Sequence, residues 1–162
     1  MYRIAIITAS DKGARGERED VSGQVIREMC RGFASVSSYE ILADERPLIA
    51  EALEKLCDED LAEVIFTTGG TGFSSRDVTP EATLDVVERL TPGIPEAMRA
   101  KSLQVTNRAM LTRAVAGIRK RTLIINLPGS PKAVRECLEV ILPALGHGID
   151  ILRGEAAECA RT

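Results

Sequence analysis

Tryptophan is absent from this chain, aromatic residues make up 3% of it, and there is one histidine, His147. Proteins that bind single-stranded nucleic acid stack bases on aromatic side chains, and almost none are available here. Charge does not compensate. The 21 basic residues face 24 acidic ones, for a net charge of −3, and the densest basic cluster is the triplet Arg119-Lys120-Arg121. That triplet reads as a solvated turn between strands, so no nucleic-acid partner is indicated. The four cysteines, Cys30, Cys57, Cys137 and Cys159, contain no C-x-x-C pair, and His147 has no cysteine or histidine at ligand spacing. This inventory argues against a zinc site. Cys30, Cys57 and Cys137 fall on the apolar faces of helical patterns and read as small buried hydrophobes in a reducing compartment, the cytoplasm. No apolar run approaches the length of a membrane span, and the N-terminus passes from a short apolar run straight into a polar loop. It reads as a first strand and not as a signal peptide.

Three catalytic signatures are also missing. There is no G-x-x-x-x-G-K-[ST] phosphate loop, no G-x-G-x-x-G after the first strand and no G-x-S-x-G nucleophile elbow. Nothing indicates a covalent intermediate, which favours chemistry by positioning and metal-assisted charge neutralisation.

What the chain does have is an ordinary globular balance of 44% hydrophobic and 28% charged residues over 162 positions, enough for one domain spanning 1–162. With so few aromatics, its core must rest on Ile, Leu, Val and Ala. Nearly continuous apolar runs at 3–8 and 63–68 and at Thr122–Leu127 read as buried strands, and a Val/Ser/Tyr/Ile mixture suggests another at Ala34–Leu42. Residues 9–19 read as a loop. Between the strands lie helical patterns: one capped by Asp20 or Ser22 and running to about residue 31, and one opening at Pro47 with Leu48, Ile49, Leu53 and Leu56 at helical spacing. A third is capped by Thr79, opens at Pro80 and carries Leu84, Val87 and Leu90. A fourth spans 95–106. The last is capped by Ser130 before Pro131, carries Val134 to Ile149, and should kink or restart at Pro143. Residues 111–118 read as a short hairpin arm, and the tail beyond Gly154 as frayed. Strand and helix alternate, which predicts an α/β three-layer sandwich with a mainly parallel sheet covered by helices on both faces.

In such a sheet, ligands bind at the carboxyl ends of the strands. The polar segments there are Thr8-Ala9-Ser10-Asp11, Asp44, the stretch Thr67-Thr68-Gly69-Gly70-Thr71-Gly72 with Arg76 and Asp77, and Asn126-Leu127-Pro128-Gly129-Ser130. Three glycines in four residues let a backbone approach a ligand closely and turn its N–H groups outward. An arginine there can meet phosphate and a carboxylate can meet a metal ion. Each residue also has a plainer reading. Asp44 can precede the helix at Pro47, Asp77 can be solvated, Asn126 can satisfy backbone groups, and Ser130 can be only a cap.

Together with Ser10-Asp11, Asp20-Val21-Ser22-Gly23, Arg76 to Ala82, Pro92 to Glu96 and Asn126 to Pro131, these motifs resemble the molybdopterin-binding MoaB/Mog-like family over roughly residues 3–152. The resemblance implies the three-layer fold and a Mog-type activity: Mg²⁺-dependent adenylylation of molybdopterin by ATP, with release of pyrophosphate. It matches Asp44 and Asp77 to two essential acidic, metal-binding positions. It assigns the phosphate turn to Gly69, Gly70, Thr71 and Gly72. Ser102, Thr112 and Asn126 fall at pterin-site positions, with Ser10, Pro128, Gly129 and Ser130 around the substrate. Leu111-Thr112-Arg113 departs from a family pattern of Leu-Ser-Arg, keeping the hydroxyl and adding a methyl. The resemblance also implies a homotrimer, or a hexamer for MoaB-type members, and hand-over of the product to a molybdate-inserting protein. Two other readings share the fold: a MoaB-type pterin- or nucleotide-binding paralogue, and a non-catalytic scaffold. The apolar residues Ile94, Met98, Leu103, Val105, Met110 and Leu111, mixed with Arg99, Lys101 and Arg108, suggest an interface after the central helix.

Overall fold

A computed structural model describes residues 1–155. Its strands are β1 (Tyr2–Ala9), β2 (Ala34–Leu42), β3 (Val64–Thr68), β4 (Arg89–Leu90), β5 (Ala116–Arg119) and β6 (Thr122–Leu127). Its helices are α1 (Asp11–Ala14), α2 (Val21–Met29), α3 (Arg46–Asp58), α4 (Thr79–Val86), α5 (Gly93–Leu103) and α6 (Pro131–Arg153), with a 3₁₀ turn at Asn107–Leu111. The sheet runs β2-β1-β3-β6-β5-β4. The first four strands are parallel, and β5 and β4 are antiparallel additions at one edge.

The apolar runs make sense as strands covered on both faces. Along β1, Ile4 and Ile6 point to one core with Phe66, Ile125, Val25 and Leu138, under α2, α5 and α6. Ala5 and Ile7 alternate to a second core with Ile65, Ile124, Ile49, Leu53 and Ala82, under α3 and α4. This period-two division of single strands between two cores is the three-layer sandwich expected from the sequence. Cys30, Cys57 and Cys137 are buried free thiols, and burial pushes Cys30 and Cys57 up to about 12. Cys159 and the rest of the tail at 156–162 lie outside the described residues.

Several expectations from the sequence need correction. The 9–19 loop contains α1, which Ser10 caps by accepting from Gly13 N–H at 3.0 Å. Thr79 does not cap α4. It is the first helical residue, preceded by Val78 without a side-chain cap. The helix ends at Val86, where Val87 turns to an extended ψ of 143°, and Leu90 belongs to β4. Leu84 and Leu90 are solvent-exposed, so their helical spacing reflects no buried face. The arm at 111–118 begins in the 3₁₀ turn at Leu111, has no regular secondary structure over 112–115 and becomes strand only at Ala116. It does form a hairpin with β6. Lys120 takes φ 51° in the turn, and Arg119 meets both carboxylate oxygens of Asp58 at 2.9 Å. Helix α6 does not restart at Pro143 but runs through it. Pro143 and Glu139, whose carbonyl loses its donor, are both on the exposed side, where water can replace the missing N–H.

Candidate functional site

Four strand ends meet at a cleft of about 600 Å³. β1 delivers Thr8, Ala9 and Ser10, the turn after β2 delivers Asp44, β3 delivers Thr68, Gly69 and Gly70, and the turn after β6 delivers Gly129; Asp20 and Asp77 complete the walls. Parallel strands all point their carboxyl ends the same way, which is why segments far apart in sequence converge here. Two hydroxyls lock the turns together. Thr68 Oγ1 donates to the Pro128 carbonyl at 2.7 Å and Ser22 Oγ to the Gly129 carbonyl at 2.8 Å.

The turn after β3 requires its glycines. Gly69 and Gly70 take φ of 89° and 66°, a region costly to other residues. A Cβ on Gly69 would collide with the Ala9 carbonyl oxygen, and one on Gly70 with Thr79 Oγ1. At Gly72, a Cβ would lie 2.8 Å from Asp77 Oδ2. The backbone therefore lies flush against the neighbouring strand end, the start of α4 and the Asp77 carboxylate. Thr79 N–H donates to the Gly70 carbonyl at 3.1 Å, while Thr79 Oγ1 is buried without a partner.

The carboxylates form a charged cluster on one side. Asp44 Oδ2 accepts from Asp11 N–H at 2.9 Å, and Asp11 Oδ1 accepts from Asp44 N–H at 3.0 Å. Arg76 binds both Asp11 oxygens at 3.0 and 2.9 Å and reaches Glu45 at 3.0 Å. The Arg76 bonds hold the Asp11 carboxyl below its ordinary range. Asp44 is pushed the other way, by burial foremost and also by the charges of Asp11 and Asp77, against the opposing Asp11 N–H bond. A carboxylate under that pressure gains from a cation beside it. Asp77 Oδ2 accepts from Ser74 N–H at 2.9 Å. On the far wall, Asp20 caps α2 through Gly23 N–H and accepts from the Thr8 and Tyr39 hydroxyls. The Tyr39 phenol is raised above its ordinary value by burial and by Asp20.

The residues singled out from the sequence fall into three groups. Ser10, Asp44, Gly69, Gly70, Asp77 and Gly129 line the cleft. Ser102, Thr112 and Pro128 line a separate cavity of about 220 Å³ between α5, the 3₁₀ turn and α6. Ser102 Oγ lies 3.8 Å from Cys137 Sγ there. Thr71, Gly72, Asn126 and Ser130 line neither. Ser130 caps α6 by accepting from Ala133 N–H at 3.4 Å. Asn126 is wholly buried beneath the site. Its Nδ2 donates to the Thr67 and Thr83 hydroxyls at 2.9 and 2.8 Å, and its Oδ1 accepts from Val115 N–H at 3.2 Å. Arg76 is engaged with acidic side chains, so its guanidinium serves the acidic cluster. Four residues at the site were not marked as functional from the sequence: Asp11, Asp20, Glu81 and Arg113. Asp11 and Asp20 stand at strand-end and helix-cap positions where an acidic residue has a signal. Arg113 and Glu81 fall inside the family-like stretches Leu111-Thr112-Arg113 and Arg76 to Ala82, but nothing local shows what they do, because their contacts cross 32 or more residues.

Comparison with known proteins gives a consistent picture. A family model described as "Probable molybdopterin binding domain" matches residues 5–147. A molybdopterin adenylyltransferase of Helicobacter pylori J99 is 46% identical over 93% of this chain and 88% of its own length. The crystal structure of the molybdopterin biosynthesis enzyme MoaB of Thermus thermophilus superposes with a TM-score of 0.91 at 46% identity, covering 98% of this chain and 100% of the other. The tungsten cofactor synthesizing protein MoaB of Pyrococcus furiosus superposes at 0.86 with 36% identity, covering 94% and 98%.

Proposed function

The chain belongs to the molybdopterin-binding domain family, and we propose that it adenylylates molybdopterin. The terminal phosphate oxygen of molybdopterin attacks the α-phosphorus of ATP. The bond from that phosphorus to the β-bridging oxygen breaks, and pyrophosphate leaves with the electron pair. The observation that carries this reading is the placement of Asp44 and Asp77 beside the tight Gly69-Gly70 turn in one cleft formed by four strand ends.

Bringing two polyanions together is the physical difficulty of such a reaction. The cleft-lining part of the glycine turn, Gly69 and Gly70, would bring backbone N–H groups to the triphosphate, with Ser10 and Gly129 at its flanks. Thr71, Gly72 and Ser130, assigned to the ligand by the family resemblance, would act by shaping the turn and capping α6. Asp44 and Asp77 fit a Mg²⁺ ion, a hard cation usually held by one or two carboxylates plus substrate phosphates. Among the described residues no three His, Cys, Asp or Glu side chains converge into an all-protein cage, which suits a metal that arrives with nucleotide. When bound, the ion would supply charge neutralisation between the phosphates. Ser102, Thr112 and Pro128 in the second cavity support a pterin site there, since a pterin's ring edge needs a few polar groups in an apolar wall. Asn126 supports both cavities from below by joining β3, α4 and the Val115 backbone. On this reading the protein works in the cytoplasm as a homotrimer that passes its product to a molybdate-inserting protein. Among the described residues no helix is long and apolar enough to cross a membrane.

Pyrophosphate release from ATP and Mg²⁺, measured with and without molybdopterin, tests the proposal. Release that requires molybdopterin is expected; release that ignores it, or no release, would refute it. The likeness to MoaB structures favours one second reading, a MoaB-type paralogue that binds a pterin or a nucleotide and whose catalytic role is a separate question. It predicts binding of pterin or nucleotide by calorimetry without molybdopterin-dependent pyrophosphate release.

A further inference from the structure

Between the cleft and the smaller cavity runs one strip of chain without regular secondary structure, residues 112–115. Its side chains alternate. Thr112 and Ala114 line the smaller cavity, while Arg113 between them turns to the glycine turn. Arg113 N–H donates to the Thr71 carbonyl at 2.8 Å. Its Nε donates to the Gly72 carbonyl and its Nη2 to the Asp77 carbonyl, each at 2.7 Å. Its Nη1 pairs with Glu81 in the first turn of α4. The strip is fixed on its other side by Arg99, which donates to the Ala114 carbonyl at 3.0 Å, and by the bond from Val115 N–H to Asn126.

We propose that Arg113 is a positioning residue that holds the glycine turn and Asp77 in register with the smaller cavity. One planar guanidinium spans both ends of the segment from Gly72 to Asp77, and the backbone N–H beside it holds Thr71. Asp77's own side chain takes only the nearby Ser74 N–H. Arg76 ties the loop to Asp11 and Glu45 through its side chain, and Arg113 is the long-range anchor that holds the loop's own backbone carbonyls at Gly72 and Asp77. The fork presents donors in fixed directions to Gly72, Asp77 and Glu81 at once, which the single ammonium of a lysine cannot do. Because Thr112 and Ala114 belong to the same strip, a ligand that shifts the wall of the smaller cavity shifts the anchor of the loop carrying Asp77. The claim that this serves adenylylation rests on the function proposed above, whereas the anchoring of the loop does not.

The experiment uses R113Q, R113K and E81Q in the whole protein, with two readouts. In steady-state turnover, R113Q should lower kcat about 100-fold, the scale of a misplacement of about 1 Å, with KM for ATP changed less than about threefold. R113K should recover part of that loss. A merely structural role would lower the amount of folded enzyme and leave kcat per active molecule unchanged, and that result would overturn the proposal. In hydrogen exchange on the protein without ligands, R113Q should speed exchange over residues 70–78 and leave β1 and β6 protected; equal exchange over 70–78 would overturn it. E81Q keeps the guanidinium and its carbonyl bonds, so it should show a smaller change of the same kind and stands in if R113Q does not fold. If wild-type protein releases no pyrophosphate, the adenylylation reading fails, and hydrogen exchange decides the anchoring by itself.

Discussion

Asp77, in the connection from β3 to α4, and Asn126, near the end of the adjacent β6, are short polar side chains to which burial gives different work. Asp77 lines the cleft and spends one oxygen on Ser74 N–H. Asparagine in its place keeps an acceptor for that bond but carries no charge to offset a metal. Asp77→Asn should therefore fold normally, bind molybdopterin within a few-fold of wild type, and lose turnover by at least about 100-fold in a pyrophosphate-release assay, as for removal of an electrostatic contact to the reacting phosphates. Turnover within a few-fold of wild type would remove Asp77 from the metal site. Asn126 is wholly buried, and its amide satisfies two hydroxyls and one N–H. Asn126→Ala strands those partners, at about 1–3 kcal/mol for a buried unsatisfied group. The expected result is a lower urea midpoint, with ligand affinity falling only as the two cavities loosen. An unchanged midpoint with molybdopterin affinity alone reduced would return Asn126 to direct contact with the pterin.

At the scale of elements, Glu63 ties the start of β1 to the start of β3 and the end of α6. It accepts from the Arg3 backbone and guanidinium, and Arg153 approaches to 3.5 Å. Burial works to raise its carboxyl, but the Arg3 bonds and the two arginine charges hold it below its ordinary range. A carboxylate depressed in the folded state contributes stability above its unfolded pKa, about 4.3, and loses it as pH falls through the folded value. Glu63→Gln should thus unfold at lower urea near pH 7 and show a shallower loss of stability below about pH 4.3; parallel curves for the two proteins would refute this. Strands such as β3 and β6 were legible in the sequence because burial on both faces leaves them continuously apolar. The end of α4 was not, since Leu84 and Leu90 fit a helical spacing while lying in solvent. The strand-end rule found Asp44, Asp77 and the glycine turn, each a local feature of the segment that follows its own strand. It could not find Arg113, whose partners come from the β3–α4 connection, nor the division of Ser102 and Thr112 from the cleft, which depends on how α5 and α6 pack.

At the scale of the whole molecule, the surface after α5 exposes several large apolar side chains. Of the six apolar residues grouped there from the sequence, Met98 is buried in the core and Ile94 packs against it, so those two do not contribute to a patch. Leu103, Val105, Met110 and Leu111 stay between 45% and 62% exposed on consecutive turns of chain. Large apolar side chains in one continuous stretch, bordered by Lys101 and Arg108, have the composition of an interface. A cyclic assembly closes such a patch by one contact repeated around an axis, and the resemblance to Mog-type proteins sets the expected number at three. Light scattering on the purified protein should give the mass of three chains. The double variant Met110→Glu, Leu111→Glu should reduce it to one chain while circular dichroism stays unchanged, because neither side chain belongs to the two buried cores. A wild-type mass of one chain would refute the assembly. A mass of six would shift weight to the MoaB-type reading, and a trimer that survives both charges would place the interface on another face.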